Sequence, residues 1–233
     1  MLDSSIKTVI VGSSPSLLEN NLGSLIDTFE HVVRFNCYQI RGYEKHVGTK
    51  EKIWAANVGL ASHKETIVKK LTQGDVRQIW YVGNSYDIER QFLEIKRNLK
   101  KQFVVESINF DVVHLIEEIK SDFKEEGLCF ERNKIRLGKN KKYATTGLRA
   151  IFKSIERWGK AYVCGFTCWK ECVGEIKNAH YYKQDNVPTH MHEAFTRPPD
   201  VEHDVSVEAQ IIDKLVDMNY IIRLEDIKNE INT

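Results

Sequence analysis

The sequence predicts an α/β fold: one domain of 233 residues in which a mostly parallel sheet carries helices on both faces. Three observations predict it. Short β-branched and aromatic runs alternate with longer amphipathic ones along the chain. The short runs read as strands buried on both faces, the mark of a parallel sheet under helices. The hydrophobic share, 42%, is enough for one sizeable core.

The strands are "KTVIVG" (7–12), "HVVRFN" (31–36), "EKIWAAN" (51–57), "RQIWYVGN" (77–84) and "KAYVCGF" (160–166), where Val, Ile, Trp and Tyr favour a pleated, buried surface. Between them, "HKETIVKKLTQG" (63–74) is a helix that puts Ile67, Val68 and Leu71 on one face and ends in a C-cap glycine. "NFDVVHLIEEIKSDFKEEG" (109–127) repeats apolar residues at helical spacing, a helix start capped by Thr145 or Thr146 fits "YATTG", and "VSVEAQIIDKLVDM" (205–218) reads as a further helix. Residues 178–202, rich in His, Pro and Asn, read as a long loop, the kind a compact domain keeps for function. No repeat, low-complexity tract or linker divides the chain, so residues 1–233 are expected to form one domain.

Composition narrows the function. Lys plus Arg (34) balances Asp plus Glu (33), so no overall field selects nucleic acid. No stretch approaches the ~20 apolar residues of a membrane span, and "MLDSSIKTVIVG" lacks the pattern of a signal peptide. Five cysteines, an odd number at low density, agree with a reducing compartment. The expectation is a soluble, cytoplasmic protein.

One turn carries the first chemical clue. "VIVGSSPSLL" (9–18) runs from a strand through Gly12, Ser13, Ser14, Pro15 and Ser16 into a helix-like stretch. Unpaired N–H groups and hydroxyls at a helix start make an anion cradle, and a glycine lets the ligand approach. An ordinary βα loop with a capping serine is the simpler alternative. The turn has neither the GxGxxG of a dinucleotide site nor the lysine of a P-loop, which disfavours nicotinamide nucleotides and nucleoside triphosphates.

From Gly12 onward the chain resembles glycosyltransferase family 29, the animal-type sialyltransferases. Gly12, Ile26-Asp27, Val32-Val33-Arg34-Phe35-Asn36, Gly42-Tyr43-Glu44 and Val47-Gly48 follow the long sialyl motif in register over about forty residues. "YATTGLRAIFKSIERWGKAYVCGF" is similar to the short motif, "HYY" (180–182) to the aromatic-histidine motif, and "HDVSVE" keeps the His-x4-Glu spacing of the last one at His203 and Glu208. Over the first fifty residues the "SSPSL" spelling also resembles the bacterial sialyltransferases of family 42. Departures are present too. The family's Asn in Gly-Asn-Ser is Ser13, its Pro-Ser is Ala144-Thr145, and its paired cysteines are absent, with Thr8 or Val9 and Glu156 to Trp158 near those places.

The resemblance implies a Rossmann-like, GT-A-like sialyltransferase fold and an inverting, metal-independent glycosyltransferase. A 2-keto sugar acid, sialic acid or Kdo, would pass from its CMP-activated form to a hydroxyl of a glycan or glycolipid. The CMP-sugar is a substrate, so no cofactor is expected, and no Asp-x-Asp pair is present to hold a metal. Gly12, Ser13, Ser14, Asn36, Tyr143, Thr145, Thr146, Gly147 and Tyr181 are the implied donor-binding residues. His203 is the implied base, since histidine takes a hydroxyl proton near neutral pH without large tuning. Glu208 would orient the site and help seat the following helix, and His180 would reach the phosphate as hydrogen-bond donor or general acid.

Two rivals stand beside this reading. Cys164, Cys168 and Cys172 with His180, His190 and His192 suggest zinc, but the x3 spacings and a strand position for Cys164 fit it badly. "RNKIRLGKNKK" (132–142), six basic residues in eleven with no acid, reads as a solvated hairpin that could attract an anionic acceptor or make peripheral contact with a membrane. On that basis a non-catalytic binder of anionic glycans or nucleotides is the alternative.

Overall fold

The structure is a computed structural model that describes residues 2–57, 61, 63–82, 86–99, 101–108, 123–125, 127–131, 134–167, 180 and 203–231. Strands β1 (Thr8–Val11), β2 (His31–Phe35), β3 (Ile53–Ala56), β4 (Gln78–Tyr81) and β5 (Val104–Ser107) pair in chain order, each parallel to the next. A separate antiparallel sheet follows, made of β6 (Cys129–Glu131), β7 (Lys134–Leu137) and β8 (Lys142–Tyr143). The chain then returns to the first sheet on the opposite side of β1, as β9 (Ala161–Cys164) and β10 (Ile221–Arg223), both parallel. The seven-stranded order is therefore β10-β9-β1-β2-β3-β4-β5. Strand order reverses between β1 and β9, and the carboxyl ends of those two strands open the crevice where such sheets bind ligands.

The helices are α1 (Gly23–Ile26), α2 (Glu44–Val47), α3 (Lys64–Gln73), α4 (Tyr86–Leu99), α5 (Thr146–Trp158), α6 (Val205–Asp217) and α7 (Leu224–Ile231) among the described residues. They cover both faces, because successive strand residues point to opposite sides. Val9, Val11, Val32, Trp54 and Tyr81 pack with Ile26 of α1, Val47 of α2, Ile67 and Leu71 of α3, Phe92 of α4 and Leu224 of α7. Ile10, Val33, Ile53, Trp80 and Val163 pack on the other side with Leu148, Ile151, Phe152 and Ile155 of α5 and Ile211 and Leu215 of α6.

The five expected strands all form, each slightly shorter than its apolar run, and the helix expected over 63–74 is α3. The basic run is a hairpin where described: β7 and β8 enclose a turn in which Gly138 (φ 69°) and Lys141 (φ 50°) adopt left-handed backbone. The expected helix at 109–127 falls largely outside the described residues, as does the loop at 178–202 except for His180. No described helix is long and apolar enough to cross a membrane.

Half of the long motif is structural. Arg34 is fully buried and donates from Nε to the Lys50 carbonyl (2.8 Å) and from a terminal nitrogen to that of Val47 (2.5 Å), tying α2 to the sheet. Asp27 accepts from the Thr49 N–H (2.8 and 2.9 Å), the Thr49 hydroxyl (2.8 Å) and the Lys50 N–H (2.9 Å). Gly48 (φ +72°) must lack a side chain there, since a Cβ would sit 2.7 Å from an Asp27 carboxylate oxygen. Asp27→Ala is expected to destabilise the fold by about 1–3 kcal/mol, read as the urea midpoint, because these donors lose a charged acceptor together.

The places of the family's paired cysteines hold packing residues instead. Thr8 is fully buried, its strand neighbour His31 stacks on Trp158 at 4.6 Å, and Trp158 lies 5.7 Å from the Trp80 ring.

Candidate functional site

The β1–β9 crevice begins where two backbones touch. The Gly12 N–H donates to the Cys164 carbonyl (2.7 Å) and the Ser14 N–H to that of Gly165 (3.1 Å). A Cβ on Gly12 would lie 2.0 Å from the Gly165 oxygen, and Gly165 itself has φ +69°. The two motif glycines are thus needed for one close approach, not for loop flexibility.

The turn differs from its sequence reading. Pro15–Glu19 is a five-residue 3-10 helix, too short for an appreciable dipole, and most of its amides are already bonded. Gly12 and Ser14 donate to the β9 end, Ser16 to the Ser14 hydroxyl (3.2 Å) and Leu17 to the Ser14 carbonyl (3.2 Å). Ser14 is buried and caps this turn, its hydroxyl 2.8 Å from that of Thr167. Ser13 alone has neither its N–H nor its hydroxyl partnered among the described residues. The β1–β2 pairing ends at Val11 and Arg34, so Ser13 and Asn36 each lie two residues past it, at the carboxyl ends of neighbouring strands.

Asn36 ends β2 with φ 53°, a conformation Asn tolerates better than most residues. Its side-chain oxygen accepts from the Asn57 N–H (3.1 Å) and its carbonyl from the Trp54 indole (3.0 Å). The side-chain NH2 has no partner among the described residues.

The helix N-terminus at this crevice belongs to α5. Thr145 caps it, accepting from the Leu148 N–H (3.2 Å), and no acidic residue occupies its first turn. The N–H groups of Thr146 and Gly147 have no partner among the described residues, and α5 contacts β1, β2 and β9. Gly147 packs closely on the Phe35–Phe166 pair (centroids 5.6 Å apart), where a Cβ would meet both rings at 3.0–3.2 Å. Thirteen residues in regular helix give this end the anion affinity that the opening turn lacks.

Thr145 cannot act as the hydroxyl donor that the sequence reading assigned to it. Its hydroxyl donates to the Glu208 carboxylate, and its N–H donates to the second Glu208 oxygen (3.0 Å). Glu208 therefore seats α5, not the helix that contains it; Asp204 caps α6 through the Val207 N–H (3.2 Å). Glu208 is buried, and desolvation raises its pKa against the opposing pull of the Thr145 bonds and the charges of His203 and Arg149. Arg149, also buried, donates to the Ala144 carbonyl (3.1 Å), and desolvation brings its pKa down to about 10 despite Glu208.

His203 stands just before α6 with Nδ1 2.7 Å from the Tyr143 carbonyl. A carbonyl only accepts, so the bond puts a proton on Nδ1, and in the neutral ring the lone pair is then on Nε2. The Tyr143 ring is 37% exposed, with the Arg136 guanidinium 3.6 Å from its centroid. The last motif is thereby fastened to the short one through Tyr143 and Thr145.

His180 is half-buried, and desolvation pulls its imidazole down to about 4, so it is neutral at pH 7. A neutral ring suits the hydrogen-bond donor role expected of it better than that of a general acid. Tyr181 lies outside the described residues, as do Cys168, Cys172, His190 and His192 of the zinc reading. Cys164 fits a metal poorly: it is buried in β9, which pushes its thiol pKa well above the ordinary value, and no cluster of metal-ligating groups occurs among the described residues. Sequence reading omitted Gly165, Arg149 and Thr167; the Gly-Phe that ends the short motif was the available signal for the first.

No curated protein sequence matches the chain. Solved structures do. One, a mammalian sialyltransferase in complex with Gal-beta-1-3GalNAc-ortho-nitrophenol, superposes with a TM-score of 0.53 at 15% identity over 94% of this chain and 69% of that one. Another, a mammalian sialyltransferase, gives 0.54 at 17% identity over 93% and 68%. At such identities the likeness speaks for the fold. The model of glycosyltransferase family 29 (sialyltransferase) matches residues 3–220, which include Gly12, Asn36, Thr145, His203 and Glu208 alike, and a match over nearly the whole chain makes this chain a member of that family.

Proposed function

We propose that the protein is an inverting, metal-independent sialyltransferase that uses CMP-sialic acid and a glycan or glycolipid hydroxyl, with CMP-Kdo as the rival donor. The observation that carries this is the meeting of three motifs at the carboxyl end of the sheet: Ser13 and Asn36 follow the ends of β1 and β2, the first turn of α5 packs on Phe35 and Phe166, and an oriented histidine stands at Tyr143.

The anomeric C2–O bond of the donor breaks and its electron pair leaves on the CMP phosphate. Negative charge grows on that phosphate, and the N–H groups of Thr146 and Gly147, at the positive end of α5, are suited to receive it without reorganising. Ser13 and Asn36 supply further donors to the nucleotide. The acceptor oxygen forms its bond to C2 from the opposite face and gives its proton to Nε2 of His203, the nitrogen left unprotonated by the Tyr143 carbonyl. His180 serves as a neutral N–H donor to the phosphate. A β-galactoside such as the disaccharide in the mammalian complex is the acceptor to try first. The basic β7–β8 hairpin, contiguous with Tyr143, would face the acceptor and any membrane that bears it.

Titration with CMP, UMP, GDP and NAD, followed by thermal shift and calorimetry with EDTA throughout, tests the reading. Selective stabilisation by CMP, about 2.7 kcal/mol at 100 times its Kd, is expected. Equal responses to all four, or binding only after a divalent metal is added, would sink it. Slow release of CMP from CMP-sialic acid without acceptor separates an enzyme from a mere binder.

A further inference from the structure

The edge strand β10 ends beside the crevice, and the first turn of α7 sends Glu225 back to it. One Glu225 oxygen accepts the Gly165 N–H at 2.7 Å, while the Gly165 carbonyl accepts the Ser14 N–H at 3.1 Å. Arg223 braces the next peptide, with its guanidinium 3.5 Å from the Phe166 carbonyl and 2.5 Å from an Asp213 oxygen. Gly165 has left-handed backbone, and its oxygen lies where a Gly12 side chain would begin. The orientation of this one peptide thus decides where residues 12–14 stand.

We propose that Glu225 is a positioning residue for the donor: its carboxylate holds the Gly165 peptide, which holds Ser14 and presents Ser13 to the nucleotide. Glu225 lies beyond residues 3–220, outside the motifs from which the donor site was read. A charged acceptor on a backbone N–H is stronger than a neutral one, and here it is partly shielded from water. Desolvation raises the Glu225 pKa, and the Gly165 N–H pulls against it. No substrate atom reaches Glu225 in this scheme. The inference rests on the reading of Gly12–Ser14 as part of the donor site.

The test compares wild type with Glu225→Ala and Glu225→Gln by calorimetric titration with CMP and by kinetics with CMP-sialic acid. Glu225→Ala is expected to weaken CMP about tenfold, or about 1.4 kcal/mol, and to raise the donor KM similarly. Its kcat and acceptor KM should stay within twofold. Glu225→Gln, which keeps an acceptor oxygen at the same reach, should recover CMP binding to within threefold. Should the alanine variant not fold, Glu225→Asp, one methylene short, is expected to weaken CMP three- to tenfold with little change in melting. A wild type that ignores CMP overturns the donor-site reading and this inference with it. A wild type that binds CMP and a folded alanine variant that binds equally well overturn this inference alone. A fall in melting temperature with donor and acceptor KM rising together would reduce Glu225 to an anchor for α7.

Discussion

His203→Ala is expected to lower kcat for transfer by roughly 10²–10⁴-fold, the usual contribution of a positioned base, while the CMP Kd stays within twofold. The expectation rests on what His203 touches. Its one hydrogen bond among the described residues goes to the Tyr143 carbonyl and leaves Nε2 for the acceptor, and the phosphate-facing amides sit three and four residues farther along, at Thr146 and Gly147 in the first turn of α5. Removing the imidazole therefore deletes proton acceptance without unmaking the nucleotide cradle. Acceptor-independent CMP release should fall far less than transfer, because water needs less help once the donor has ionised. Melting should shift by no more than a degree or two, since a partly exposed loop residue loses one hydrogen bond. A variant that keeps a third of its transfer rate would remove His203 from the role of base.

Gly12→Ala is expected to abolish CMP binding and to destabilise the fold by roughly 2–5 kcal/mol, from overpacking plus lost backbone hydrogen bonds. The added methyl would stand 2.0 Å from the Gly165 oxygen, 2.6 Å from its carbonyl carbon and 2.9 Å from the Cys164 oxygen. All three atoms are backbone, so no rotamer change gives relief. The ends of β1 and β9 must part, and the bonds from Gly12 to Cys164 and from Ser14 to Gly165 go with them. Denaturant unfolding and a CMP titration on the same sample check both halves. A variant with wild-type midpoint and affinity would mean that the crossing is not tight.

Much of the architecture could be read from the chain because it depends on local pattern. A run such as "RQIWYV" has no amphipathic period and lies buried between helices, and β4 is where that pattern puts it. Strand β5 escaped notice for the converse reason: it is an edge strand with Val104 exposed, and its residues mix faces without a buried run. Motif order likewise marked Gly12, Asn36, Thr145, His203 and Glu208 before any fold was known. What each does was less legible. Ser14 and Thr145 looked like ligand-binding hydroxyls, yet Ser14 caps the opening turn and Thr145 is held by Glu208.

By itself the sequence determined the fold class, because periodicity is a property of the chain alone, and its resemblance to the family marked the motifs and the residues that carry them. The tertiary structure decided which motif atoms remain available for chemistry. The opening turn spends its amides on β9 and on its own Ser14, α5 keeps those of Thr146 and Gly147, Glu208 serves the cap of another helix 63 positions away at Thr145, and Tyr143 selects the histidine tautomer. The physical reason is that a donor or acceptor is used once. Which partner consumes it depends on contacts between distant segments, and those exist only in the folded chain.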